Sequence, residues 1–426
     1  MENAVNLQEL KNKAPYIHML LEENIDGTTN PIVTSFSDNF NFDAFGRLRV
    51  SQVTSLLELT HIYSLNIYKV DQKTNASATS SLNLVNSCVN LSVTSSGDYV
   101  IRQSKFRPPY QPGKGQLVEL TFSKFHLENN IIKRVGYFSS SETGSFNTNF
   151  DGFFLESNGD TNKITFQVWH SGSLFYSASS NEWANADLVS SLDWSKTQLA
   201  LMDFQWLGVG RVRMGMLYDG VLTPHASSCG TNNNDTVYMT SPSQPIRYEL
   251  RSTGGTGSLD QICSQVSMEG SVNSLFEPIV ITSANSSSLA TAGVKYPFIG
   301  LKMSGSYSNT SPSLRNIQVV CTSNDNYVLT VEMNPTFSTP INFTSSQDNS
   351  YGYALPNGSP TVSGSGKIMY SSVGTAGAVY DLSNIHNHSV KYGKNIDGTV
   401  DQLWVCITPL SNAATFIGSA NYEIMG

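Results

Sequence analysis

Short runs of alternating apolar and polar residues, cut off again and again by Asn-Gly, Asp-Gly, Ser-Gly and Pro pairs, set the first limit on what this chain can fold into. Alternation at period two places one side of a run in a core and the other in solvent, and these pairs are the punctuation of hairpins. The clearest case spans residues 211 to 226. Val212, Met214, Met216 and Tyr218 alternate with Arg211, Arg213, Gly215 and Leu217, Asp219-Gly220 makes the turn, and Val221 and Leu222 begin the return. A second hairpin is expected where Phe153–Glu156 and Ile164–Trp169 bracket Asn158-Gly159-Asp160, and a third where Ser92–Thr94 and Tyr99–Arg102 flank Ser96-Gly97-Asp98. Only 14% of residues are charged, against about 25% in ordinary globular proteins, so the usual Glu- and Lys-rich helix faces are missing. An all-β protein follows.

The 426 residues suffice for more than one core without a disulfide or metal staple. Residues 1–30 read as a short N-terminal arm with one or two helical pieces, because Leu7, Leu10, Ile17, Leu20 and Leu21 fall at near-helical spacing, interrupted by Pro15 and ended by Asp26-Gly27. Residues 31–274 read as a large β-sandwich domain and 275–426 as a second β-sandwich domain, either jelly-roll or lectin-like. No repeat of fixed period supports a fibrous shaft.

The net charge of −8 and the absence of a long Lys/Arg cluster argue against nucleic acid as a partner. No run of about 18 apolar residues is present, so no membrane insertion is expected, and Glu2, Glu9 and Lys11 do not fit the start of a secretory signal. Cys88, Cys229, Cys263, Cys321 and Cys406 are odd in number and widely spaced, which suits reduced core thiols.

Candidate sites are few. Trp169, His170, Trp183 and Trp194 lie in a Ser/Asn/Asp-rich stretch and form a candidate aromatic platform for a receptor or glycan, since flat apolar faces with a polar edge stack on sugar rings. Trp206 and Trp404 sit in apolar strand patterns and read as core. Arg211 and Arg213 fall on one side of a strand, roughly 7 Å apart, where they pair with a carboxylate such as Asp203 or face a partner subunit. A glycosidase needs two carboxyl groups roughly 5 to 10 Å apart, for which Asp151 with Glu156, or Asp193 with Asp203, are the candidates. His386-Asn387-His388 places two imidazoles at metal-ligand spacing without a third ligand in view, and the expectation is no metal and no cofactor. No nucleophile elbow or phosphate-binding glycine loop is evident, so no catalytic residue is assigned.

The ordered pieces Asp43-Ala-Phe-Gly-Arg-Leu-Arg-Val-Ser51, Gly97–Ser104, Tyr110-Gln-Pro-Gly-Lys-Gly-Gln116, Arg134–Tyr137 with Asp151–Glu156, Trp206-Leu-Gly-Val-Gly-Arg-Val-Arg213, Val237–Met239 and Pro245–Glu249 resemble an uncharacterised family of structural proteins of tailed phages and large DNA viruses. The resemblance covers about 42 to 270. It implies a virion structural protein, capsid-associated or part of a spike or fibre, assembled in the host cytoplasm with other virion proteins and as a homo-oligomer such as a trimer. The hairpin at 211–226 also looks like the late hairpin of concanavalin- and laminin-G-like sandwiches, which implies a lectin-like, receptor-binding alternative on a host-surface glycan. A polysaccharide depolymerase is the enzymatic rival; the expectation is no enzyme.

Overall fold

A computed structural model describes residues 49–425 apart from 142–145, 147, 185–188, 233, 272–276, 284–286, 305–306, 308 and 383–392, together with the backbone of 17–23 and 29–36. The described chain is all-β and its sheets are antiparallel.

Two sheets make up the first half. One has seven strands in the order Ser173–Ser179, Lys163–His170, Asp151–Asn158, Ile131–Ser139, Ile246–Ser252, Tyr99–Ser104, Val70–Thr74. The other runs Val221–Cys229, Arg211–Tyr218, Gln198–Phe204, Gln116–Ser123, Gly257–Glu269, Cys88–Val93, Thr79–Asn83, with Val53–Thr60 added beside Gly257–Glu269. Alternation decides what goes between them. Val135, Tyr137, Phe153, Leu155, Phe166 and Val168 of the first sheet meet Val118, Leu120, Phe122, Met202, Phe204, Val212 and Met214 of the second in one core. At Asp219-Gly220 both residues are left-handed, with φ of 46° and 75°, the primed turn whose twist matches the strands it joins.

The second half repeats the plan. A five-stranded sheet built on Ala414–Met425 and Ser311–Cys321 faces a six-stranded one built on Tyr296–Met303, Leu403–Pro409 and Tyr327–Met333. Its separate core joins Ile299, Leu301, Val331, Val405 and Ile407 to Ile317, Val319, Phe416 and Tyr422.

Each half also buries apolar residues on the back of one sheet. Phe138, Phe150 and Phe154, with Trp169 against them, cluster behind the seven-stranded sheet. Ala354, Trp404 and Cys406 do so behind the six-stranded sheet, covered by Phe337, Ile341, Phe343 and Val362.

The helical arm is not what the described N-terminal residues form. Ile17–Glu23 is a strand paired antiparallel with Thr29–Phe36. Ile17, Met19 and Leu21 also alternate at period two, and Asp26-Gly27, read as a helix end, is equally a hairpin pair lying between the two strands.

His61 is fully buried. Burial, and then the nearby Arg102 guanidinium, pushes its pKa down from 6.5 to about 4. The folded protein therefore keeps this ring neutral where the unfolded chain takes up a proton. Its contribution to stability is complete above pH 6.5, is lost as pH falls towards about 4, and is constant below that. Urea midpoints of the wild type and His61→Gln, followed from pH 7 to about pH 4, are expected to show a steeper fall for the wild type; parallel curves would exclude His61 as the cause.

Candidate functional site

The structure does not assemble the three-tryptophan platform. Trp183 is 3% exposed; its indole N–H donates to the Ala178 carbonyl at 2.9 Å and its ring stacks on His225 with centroids 5.9 Å apart. A Ser/Asn/Asp-rich neighbourhood suggested an exposed ring, but the large apolar surface instead closes one end of the main core. Trp169 lies on the back of the seven-stranded sheet, edge-on to Phe150 at 5.3 Å, with its N–H donating to Gln167 at 2.7 Å. His170 ends the same strand, half-buried, in register with Ser173.

Trp194 is placed differently. It is half-buried, edge-on to Trp183 at 6.3 Å and tilted on Phe125 at 5.9 Å. It faces an open cavity of about 640 Å³ at the end of the sandwich. Four segments build this cavity, the loop before Ile131 contributing Leu127. The hairpin loop after Asn158 brings Asn162, left-handed at φ 55°, and Lys163. The 3-10 turn Ser180–Glu182 brings Asn181 and is pinned where the Ser179 N–H donates to the Glu182 carboxylate at 2.7 Å. The last segment runs from Val189 to Trp194, with Ser190 and Leu192 also lining the space. The result is an apolar and aromatic floor ringed by amides, hydroxyls and one ammonium, with no carboxylate among the lining residues.

Neither carboxylate pair is brought together. Asp151 and Glu156 are five residues apart on one strand and so project to opposite faces of the sheet. Asp151 accepts from the Thr240 N–H at 2.8 Å, the Thr240 hydroxyl at 2.6 Å and Gln244 at 2.6 Å, fixing the loop before Ile246. Glu156 lies on the back of the sheet, bound to Arg134 at 2.7 Å. Asp193 is in a loop, its pKa lowered by the hydroxyl and N–H of Ser195. Asp203 is buried near the far end of the strand that follows, about 16 Å of extended chain from Gln198.

Arg213 is not an interface residue. It is fully buried, with Nε donating to Asp203 at 3.0 Å, while Arg49 donates to the other Asp203 oxygen at 2.6 Å. Arg211, on the same face, is half-buried and in register with Cys229. His386 and His388 lie outside the described residues. None of the five cysteines is in a disulfide; Cys88, Cys321 and Cys406 are buried, Cys263 is half-buried, and Cys229 is exposed at a strand end.

Reading the strands singly missed a charged row behind the seven-stranded sheet. Glu156, Arg134 and Glu249 are opposite one another on three neighbouring strands. Arg134 bridges both glutamates, at 2.7 and 3.0 Å, and Arg247 holds Glu249 from its other side at 2.6 Å. Phe150 lies over the Arg134 guanidinium at 4.6 Å. The signal was Arg134, Glu156 and Glu249 inside otherwise apolar strands.

No protein-family model matches the chain, and no curated protein matches it. Solved structures similar to part of the chain include the carbohydrate recognition domain of Emp47p, with 11% identity over 52% of this chain and 98% of that one at a TM-score of 0.34. A legume lectin-like domain from Entamoeba histolytica has 9% identity over 51% and 98% at 0.34. A beta-glucanase of Bacillus licheniformis has 13% identity over 52% and 100% at 0.35.

Proposed function

We propose that this chain is a non-catalytic, glycan-binding protein whose site is the Trp194 cavity. One observation carries the reading: a partly exposed indole, ringed by Asn162, Asn181, Ser179 and Lys163, opens from a cavity whose lining holds no carboxylate. A sugar presents an apolar ring face and a rim of hydroxyls. The indole suits the face, and amides, which both donate and accept, suit the rim. A neutral oligosaccharide is the fitting ligand class.

The wild type is expected to bind members of a panel of neutral oligosaccharides in titration calorimetry. Asn181→Ala, an exposed change, is expected to weaken binding about tenfold, the loss of one hydrogen bond worth roughly 1.4 kcal/mol. Trp194→Ala should abolish it. No binding to any member by the wild type, or equal binding by both variants, would remove this reading.

A second reading makes the chain a structural subunit of a virus particle, packed against copies of itself and other virion proteins. Two features support it. The resemblance over 42 to 270 points to such proteins, and Ile62, Tyr63, Ile67 and Tyr68 lie exposed in one short stretch, with Leu84 and Val85 exposed in a nearby hairpin turn of the sequence. Single exposed apolar residues are ordinary, but grouped ones mark contact surfaces. Electron microscopy of labelled particles tests it, and absence of the protein from purified particles would refute it.

A further inference from the structure

The two halves meet along a seam whose contacts among the described residues include three polar ones. The Ile396 N–H donates to Asp71 at 2.8 Å, Lys73 pairs with Asp397 at 3.4 Å, and the Lys394 N–H donates to the Lys105 carbonyl at 3.0 Å. Beside this seam lies a cleft of about 340 Å³ with walls from both halves. Leu57 and Phe106 of the first half and Met333 and Met369 of the second form its apolar floor. Lys69 and Lys367, one from each half, stand in the same cleft with Tyr68.

We propose that this cleft binds a small organic anion, its charged head held between the Lys69 and Lys367 ammonium groups and its apolar body on Leu57, Phe106, Met333 and Met369. The site is distinct from the Trp194 cavity and does not rest on the glycan reading.

The argument is one of unmatched charge. Four other lysines have carboxylate partners, Lys73 with Asp397, Lys124 with Asp260, Lys133 with Glu128 and Lys295 with Glu332, whereas Lys302 lies singly over the Phe343 ring; Lys69 and Lys367 differ from Lys302 in sharing one cleft. Among the described residues neither Lys69 nor Lys367 has a carboxylate partner. Lys69 Nζ reaches only the Glu58 backbone carbonyl, at 3.5 Å, and Lys367 Nζ lies over the Tyr68 ring at 4.5 Å. Glu58, an exposed residue, also lines the cleft, and among the described residues its carboxylate forms no ion pair with either lysine. Burial, and then the Lys69 charge, lowers the Lys367 pKa. Two cations lining one cleft with an apolar floor repel one another when it is empty and are favourable once an anion joins them. Because the lysines come from different halves, an occupant also ties the halves together.

Two probes of different head group test this, benzoate for a carboxylate on an apolar ring and inorganic phosphate for a phosphate head, each at constant ionic strength against chloride. Either is expected to raise the melting temperature saturably, on the order of 3 °C at a hundredfold excess over Kd. A rise with benzoate alone assigns a carboxylate ligand, and a rise with phosphate alone assigns a phosphate. In Lys69→Gln/Lys367→Gln the rise should vanish while the probe-free melting temperature holds or increases, since a repulsion has been removed. Lys367→Arg should keep the rise. No saturable rise with either probe, or an equal rise in the double variant, would overturn the proposal.

Discussion

Replacing Asp203 with Ala is expected to lower the unfolding free energy by about 3–5 kcal/mol, the cost of leaving a buried charge without its partner. Asp203 and Arg213 are both fully buried on neighbouring strands, in register with one another, and the carboxylate is shared with Arg49. Removing it takes away the carboxylate that Arg213 and Arg49 share in a buried site. A second change separates charge imbalance from lost packing. Asp203→Ala combined with Arg213→Met replaces the pair by an apolar contact, and most of the lost stability should return, because a buried pair is often worth no more than hydrophobic residues of similar size. Urea midpoints measure both variants. A loss below about 1 kcal/mol for the single change would mean that the pair is dispensable.

Trp404→Ala is expected to cost about 3–5 kcal/mol, as for other large-to-small changes at a fully buried aromatic position. This ring lies on the back of its sheet rather than in the main core. Phe337 and Phe343 pack edge-on against it at 4.8 and 5.4 Å, its N–H donates to Gln402 at 3.1 Å, and Gly300 beneath leaves the space the ring occupies. A Cβ at Gly300 would stand 2.5 Å from the indole. Truncating Trp404 therefore detaches a covering segment as well as opening a cavity. Limited proteolysis of the variant should cut between 338 and 361 before the rest of the chain is attacked. Protection of that segment equal to wild type would show that the ring does not anchor it.

The main hairpins were legible because their turns are local chemistry: Asp219-Gly220 needs no distant residue to specify it. Asp151 and Glu156 make a candidate carboxylate pair in sequence although an odd separation on one strand sends them to opposite faces, a signal present in the sequence that the pairing overlooked. The back-side clusters were not legible, because Phe138, Phe154 and Trp404 fall in strands apolar on both faces, where alternation cannot say which loop returns to cover the second. Trp183 was misjudged from its neighbours' polarity; its own surface outweighs theirs. For Arg213 the sequence left two partners open, and Asp203 is the one present. The Trp194 cavity joins four separate segments between Leu127 and Trp194, and the Lys69–Lys367 cleft joins two halves, so neither leaves a local pattern.

Both halves are completed by the last of their own strands. Gly257–Glu269 lies inside its sheet, bonded to Gln116–Ser123, Cys88–Val93 and Val53–Thr60, and Ala414–Met425 likewise holds Glu277–Thr282, Ser287–Leu289 and Ser311–Cys321. On a ribosome this becomes a matter of waiting. Leu57 emerges long before its partner Val266, and at about 5–20 residues per second the delay is roughly ten to forty seconds. For that interval the early strands hold open edges, ready to join those of neighbouring nascent chains. Once Glu269 emerges, the first half can close while the second is still being made, so synthesis itself keeps two similar sets of strands from pairing with each other.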